Sequence, residues 1–301
     1  MLREAENKVK IEGILSEIDL KYGSFEKNGQ TVESIGGSIK VLVEQEVNGA
    51  SVPLEIPVYM FSTKYTKNGK VNPSFQSIET VMKQFNSIAA CGSKDNADKV
   101  RITGAKIKMN EFIGQNGTVV SVPRINASFV AKAIGTFKPE ATFTLEFMVS
   151  DINRVVDADG VELDPPKLNI MTVVPQYGEK VDVVKLNATN PNVISAVEQF
   201  WESGKCYRAS GRLNFSSTTQ RVVQEVDFGE PTESIRTINV SEFIITGGSQ
   251  SPLEDEAAFS VEDVQKALAE RKSHLEEMKT KSSSKKAPAQ NSTKAMLDLG
   301  F

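Results

Sequence analysis

Histidine is nearly absent from this 301-residue chain: His274 stands alone, beside two cysteines, Cys91 and Cys206, and a single tryptophan. So few ligands and nucleophiles leave no His/Cys zinc cluster, no CxxC pair and no Ser–His or Cys–His catalytic system. Two thiols so far apart in sequence suit a reducing compartment and give no sign of a bridge. The first ten residues are polar and charged, so no signal peptide is visible, and no apolar run approaches the roughly 20 residues of a spanning helix. There is no GxxxxGK[ST], no GxGxxG after a strand and no HExxH, so nucleotide hydrolysis and zinc proteolysis find no support. Charge bias is small as well, 35 basic against 39 acidic residues for a net of −4. That excludes a polymer-like cation acting by bulk charge but leaves room for local basic grooves. The expectation is a soluble cytoplasmic protein, not an enzyme, with no cofactor and no metal.

What the chain does have is β-patterning. Strands are expected at Val9–Leu20, Ser38–Gln45 and Val52–Phe61, with turns at Asn28-Gly29 and Asn48-Gly49 and a polar loop from Lys21 to Gly29. In the third strand Val52, Leu54, Ile56, Val58 and Met60 share one face, while Glu55, Tyr59 and Phe61 point the other way. After the loop Ser62–Pro73 the period changes. Ile78, Val81, Met82, Phe85 and Ile88 recur at helical spacing from Ser77 to Ala90, and strands Val100–Phe112 and Val119–Ala133 follow.

The same order then repeats without obvious residue identity. Strands are read at Ala141–Val156, Lys167–Val174 and Lys180–Leu186, and Asn190-Pro191 opens a helix to about Ser203. Strands at Tyr207–Phe215 and Ile238–Thr246 complete the second set. Asp157-x-Asp159-Gly160 lacks the remaining acids of a calcium loop and reads as a hairpin turn. Beyond Gly247-Gly248, an acidic linker leads to a capping box at Ser260-x-x-Asp263 and a helix to about Lys281. That helix is suited to pack on the body or pair with another copy. Residues 282–294 are low-complexity, followed by an apolar tip, Met296-Leu297-Asp298-Leu299-Gly300-Phe301.

Three strands, a helix and two strands is the order of the five-stranded Greek-key barrel called the OB-fold. The expected class is all-β with minor α: one such barrel in residues 1–136 and another in 137–248. A linker and helix in 249–281 and a flexible tail in 282–301 complete the chain. By element order and tail form, the chain resembles a replicative single-stranded-DNA-binding protein of phage or bacterial type. The resemblance implies coating of single strands by stacking and phosphate contacts, in replication, recombination or repair. It also implies recruitment of other proteins by the tail.

Stacking plates and phosphate-tracking cations are what such binding needs. In the first half, Tyr59 and Phe61 lie opposite the core face of their strand. The following stretch carries Lys64, Tyr65, Lys67, Lys70 and Phe75, with no acid among them. Tyr22, Phe25 and Lys27 fall in the loop after the first strand. Arg101, Lys106, Lys108 and Phe112 come from the fourth strand and the loop after it, and Arg124 from the fifth. In the second half Arg154, Lys167, Arg208 and Arg212 supply charge without exposed aromatics, and Trp201 reads as core. The tip residues Met296, Leu297, Asp298, Leu299 and Phe301 resemble a partner-docking tail, and also the short peptide that docks on the bacterial sliding clamp. The alternative is a non-catalytic assembly protein, such as a virion component, using the same faces for protein contacts. RNA fits the stacking chemistry as well as DNA.

Overall fold

The computed structural model describes residues 1–47, 50–114, 116–224 and 232–285. The first strands are β1 (Asn7–Lys27), β2 (Gln30–Val47) and β3 (Ala50–Thr63), followed by helices α1 (Pro73–Gln84) and α2 (Ile88–Cys91). Strands β4 (Lys99–Ile113), β5 (Val119–Asn126) and the short β6 (Ala131–Lys132) come next. β1 pairs with β2 and β2 with β3, all antiparallel; β3 meets β5 in parallel at Val58 and Ile125. β5 then pairs with β4, and β4 returns to β1, closing a five-stranded barrel.

The second set repeats that circuit with β7 (Glu140–Arg154), β8 (Leu168–Gln176), β9 (Lys180–Ala188), α3 (Pro191–Phe200), β10 (Cys206–Gln224) and β11 (Thr232–Gly248). Here the parallel contact is Asn187 with Ile244, and β10 closes on β7. The protein is therefore two OB-type barrels. They share one eleven-stranded sheet, because Asn7–Glu12 of β1 also pair with Glu140–Leu145 of β7.

Alternation explains the cores. Leu54, Ile56, Val58 and Met60 of β3 are buried with Val9, Ile11, Val41, Ile102 and Ile125. Phe143, Leu145, Phe147, Tyr207 and Phe243 fill the second barrel. Trp201 is core, stacked on Tyr207 with centroids 5.1 Å apart, and its Nε1–H donates to the Ser249 carbonyl at 2.8 Å. At Gly211 the strands approach so closely that a Cβ would lie 2.1 Å from the Ile244 carbonyl oxygen, so no side chain fits.

Helices α1 and α3 each start at an Asn-Pro pair. Asn72 Oδ1 accepts from the Ser74 amide and Asn190 Oδ1 from the Asn192 amide, each with proline in the first turn, where its missing N–H costs nothing. This moves the first helix from the expected Ser77–Ala90 to Pro73–Gln84. Phe85 is extended, and Ser87 caps the separate turn α2.

The expected loop Lys21–Gly29 is instead strand up to Lys27: β1 and β2 stay paired out to Lys27 and Gln30, forming an arm beyond the barrel. β10 and β11 likewise pair as far as Gln224 and Thr232. The Asp157 stretch is a turn in which Asp157 Oδ1 accepts from the amides of Asp159 and Val161, both at 2.9 Å.

Ser260 Oγ caps α4 (Val261–Lys285) by accepting from the Asp263 amide. Val264 and Ala267 bury this helix against the body, beside Phe259. No helix among the described residues is long and apolar enough to cross a membrane. The Asn48-Gly49 turn and the tip Met296–Phe301 lie outside the described residues.

Candidate nucleic-acid interface

A groove of about 860 Å³ runs across the outer face of the first barrel. Strand registers explain its walls. One wall is built by β1, β2 and β3, where Asp19 stands opposite Ser38, Ser38 opposite Tyr59, and Gly36 opposite Phe61. Because side chains alternate, these residues share a face with Phe25. The other wall is built by β4 and β5: Lys106 opposite Asn126, Lys108 opposite Arg124, Asn110 opposite Val122. Phe112, opposite Val120, continues the second wall along the β4–β5 arm.

Phe61 is 61% exposed, its ring lying over Gly36, where a Cβ would come within 2.9 Å of Phe61 Cδ2. Phe25, also exposed, tilts against it with centroids 6.3 Å apart. Tyr59 carries the Arg124 guanidinium 4.2 Å above its ring, a cation held on an aromatic face by the ring quadrupole. Lys106 is paired with Glu4 at 2.6 Å. Among the described residues Lys108 and Arg124 form no ion pair. The groove thus joins the exposed Phe61 ring, with Phe25 at its margin, a capped tyrosine and two cations without a salt bridge among the described residues.

Other expected residues are placed elsewhere, each for a visible reason. Phe75 is 5% exposed, because the cap at Asn72 starts α1 early enough to turn this ring into the core. Tyr22, one residue out of phase with the groove face, packs on Phe75 at 6.2 Å and donates its hydroxyl to the Glu79 carboxylate. Lys64 donates to Glu33 at 2.8 Å, and that carboxylate holds the ammonium pKa above its ordinary value. The Lys64–Lys70 stretch has no acid of its own, so the compensating charge comes from β2. Tyr65 stays exposed, with Lys64 5.6 Å from its ring, and Lys67 and Lys70 lie exposed on the turn beyond. Lys27 sits at the end of the β1–β2 arm.

Arg101 is a structural cation. Its Nε and Nη2 donate to both oxygens of Glu12 at 2.8 and 2.9 Å, and Glu12 is 2% exposed. The guanidinium holds the Glu12 carboxyl below its usual range, aided by the Lys138 amide, which donates at 3.1 Å.

In the second barrel Arg154 clamps Glu198 and Glu162, Lys167 pairs with Glu242, and Arg208 meets Glu6 at 2.7 Å. Arg212 is half-buried without an ion pair among the described residues. Among the described residues, no exposed aromatic ring contacts any of these four cations.

Asp19, Ser38, Asn110, Asn126 and Ser128 also line the groove and escaped the reading of the sequence. The signal for two of them was present: Asn110 follows Lys108, and Asn126 follows Arg124, by one strand period.

A family model described as YorF matches residues 5–281. No curated protein matches the chain. Among solved structures, a deletion mutant of the single-stranded DNA binding protein from Thermus aquaticus is 12% identical, over 84% of this chain and 97% of that one, with a TM-score of 0.47. A replication protein A heterotrimer bound to ssDNA is 8% identical, over 79% of this chain and 49% of that one, with a TM-score of 0.24.

Proposed function

The chain belongs to the YorF family, and we propose that it is a non-catalytic protein that binds single-stranded DNA in the groove of its first barrel. The observation that carries this reading is one open groove lined by Phe61, Tyr59, Lys108 and Arg124, with Arg124 stacked on Tyr59 and Phe25 set against Phe61 at its margin. Unpaired bases expose π-faces that exposed rings can cover, and the phosphates between them need cations not already neutralised. A duplex hides its base faces, so the same groove favours a single strand. The two barrels, in residues 1–136 and 137–248, act as successive domains. The second contributes charge or a protein surface, since its cations are mostly engaged. The tip Met296–Phe301 recruits replication or recombination proteins, its apolar residues following a polar, low-complexity stretch of sequence.

The deciding experiment is a fluorescence-anisotropy titration of labelled oligo-dT at low and high salt, with a matching duplex and an oligo-U strand. Preference for single strands that fades with salt is the expected result. Absence of binding at low salt refutes the proposal and turns attention to protein partners of the barrels.

A further inference from the structure

The cation wall of the groove stands on a strand that its own barrel supports only in part. β1 pairs with β4 from Lys99 to Ala105 and no further. From Ile107 outward, the edge of β4 that faces away from β5 is met by side chains from elsewhere. Asn7 brackets Ile107, its Nδ2 donating to the carbonyl at 2.7 Å and its Oδ1 accepting from the amide at 2.9 Å. The Met109 amide donates to Asp182 Oδ2 of β9, in the second barrel, at 3.3 Å. Arg271 of α4 donates to the Glu111 carboxylate, with these two side chains 20% and 15% exposed.

A two-stranded ribbon is marginal on its own, so what holds its edge sets where it lies. Lys108, Met109 and Asn110 line the groove, while the Met109 amide and the Glu111 carboxylate are held from outside the barrel. Val264 and Ala267, two turns and one turn before Arg271, are buried and anchor the helix that presents it. Neither Asp182 nor Arg271 lines the groove.

We propose that Asp182 and Arg271 are positioning residues through which the second barrel and α4 hold the Lys108–Asn110 wall at the spacing a single strand requires. This rests on the single-strand reading of the groove. Strand affinity in the first barrel then depends on a carboxylate and a guanidinium that touch no nucleotide.

The test uses the full chain with Asp182→Ala, Arg271→Ala and the volume-preserving Glu111→Gln, which serves if Arg271→Ala fails to fold. Amide hydrogen exchange of the free protein is read along β4, and oligo-dT binding by anisotropy. The expected result is faster exchange confined to the outer half of β4, with Kd raised about fivefold, the lower end for coupled sites. Saturation stoichiometry stays as in the wild type, and in Arg271→Ala the salt slope does too, because no phosphate contact is removed. Exchanging the charges, Arg271→Glu with Glu111→Arg, restores exchange and Kd together. A variant that melts lower but keeps the wild-type Kd overturns the proposal, as does unchanged exchange in β4. Failure of the wild-type protein to bind oligo-dT refutes the single-strand reading instead, and the exchange measurement still decides whether the clasp holds β4.

Discussion

Replacing Phe61 with alanine separates binding from folding in this protein. The ring is 61% exposed, so truncation removes only a minor part of the 1.5–3 kcal/mol that full burial of such a side chain contributes, and the loss of stability stays below about 1 kcal/mol. A base stacked on the ring is worth about 1–3 kcal/mol, which corresponds to a rise in Kd of about 5- to 150-fold. The substitution removes no charge, so the dependence of log K on log salt keeps its slope. Gly36→Ala displaces the same ring from beneath: the new Cβ would lie 2.9 Å from Phe61 Cδ2, and also 3.1 Å from the Met60 carbonyl oxygen, so a small loss of stability accompanies it. An affinity loss smaller than that of Phe61→Ala, with Tyr59 untouched, is expected. Both variants are assayed by anisotropy with labelled oligo-dT at two salt concentrations, alongside thermal melts. If Phe61→Ala melts like the wild type and binds within about twofold of it, no base stacks on this ring and the groove assignment is wrong.

Lys108→Ala should reduce the salt slope by about 0.7, the value for one single-strand phosphate, whereas Arg101→Ala should lower the melting temperature without that change in slope, because its charge is committed to Glu12. Phe75→Ala should cost about 3–5 kcal/mol in chemical denaturation, as a core ring, while Tyr22→Phe should leave oligo-dT affinity unchanged. Glu12 has a folded pKa below its unfolded value, owing first to Arg101. The stability it contributes is therefore full above the ordinary glutamate pKa and lost as pH falls through the depressed value. Glu12→Gln should lower the melting temperature at neutral pH and flatten its fall on acidification, and parallel lines for the two proteins would contradict this.

Much of the fold was legible because strand alternation and helix-start chemistry are local. Two residues per period separate Tyr59 and Phe61 from Ile56, Val58 and Met60 without any knowledge of neighbours. The repeated order of three strands, a helix and two strands points to two barrels by the same means. Local signals stop short of the arms. Lys21–Lys27 lacks the apolar alternation that announces a strand, since Tyr22 and Phe25 stand three apart, and the segment is ordered by pairing with β2. The phase of Tyr22 and Phe25 follows from the pairing: one side chain turns to α1 and the other to the groove.

The order of the barrel strands, their apolar faces and the rings outside them are written locally in the chain, since each follows from residues a few positions apart. Which cations lack a salt bridge is set by long-range folding alone. Arg101 and Lys108 lie on one strand, yet Arg101 is neutralised by Glu12, 89 positions away, while Lys108 faces an open channel. Ion pairing depends on distance in space, and the closure of β4 on β1 brings that buried carboxylate to Arg101 but not to Lys108. The hold on β4 by Asp182 and Arg271 has the same origin: it spans two barrels and a helix, and no periodicity within any one of them records it.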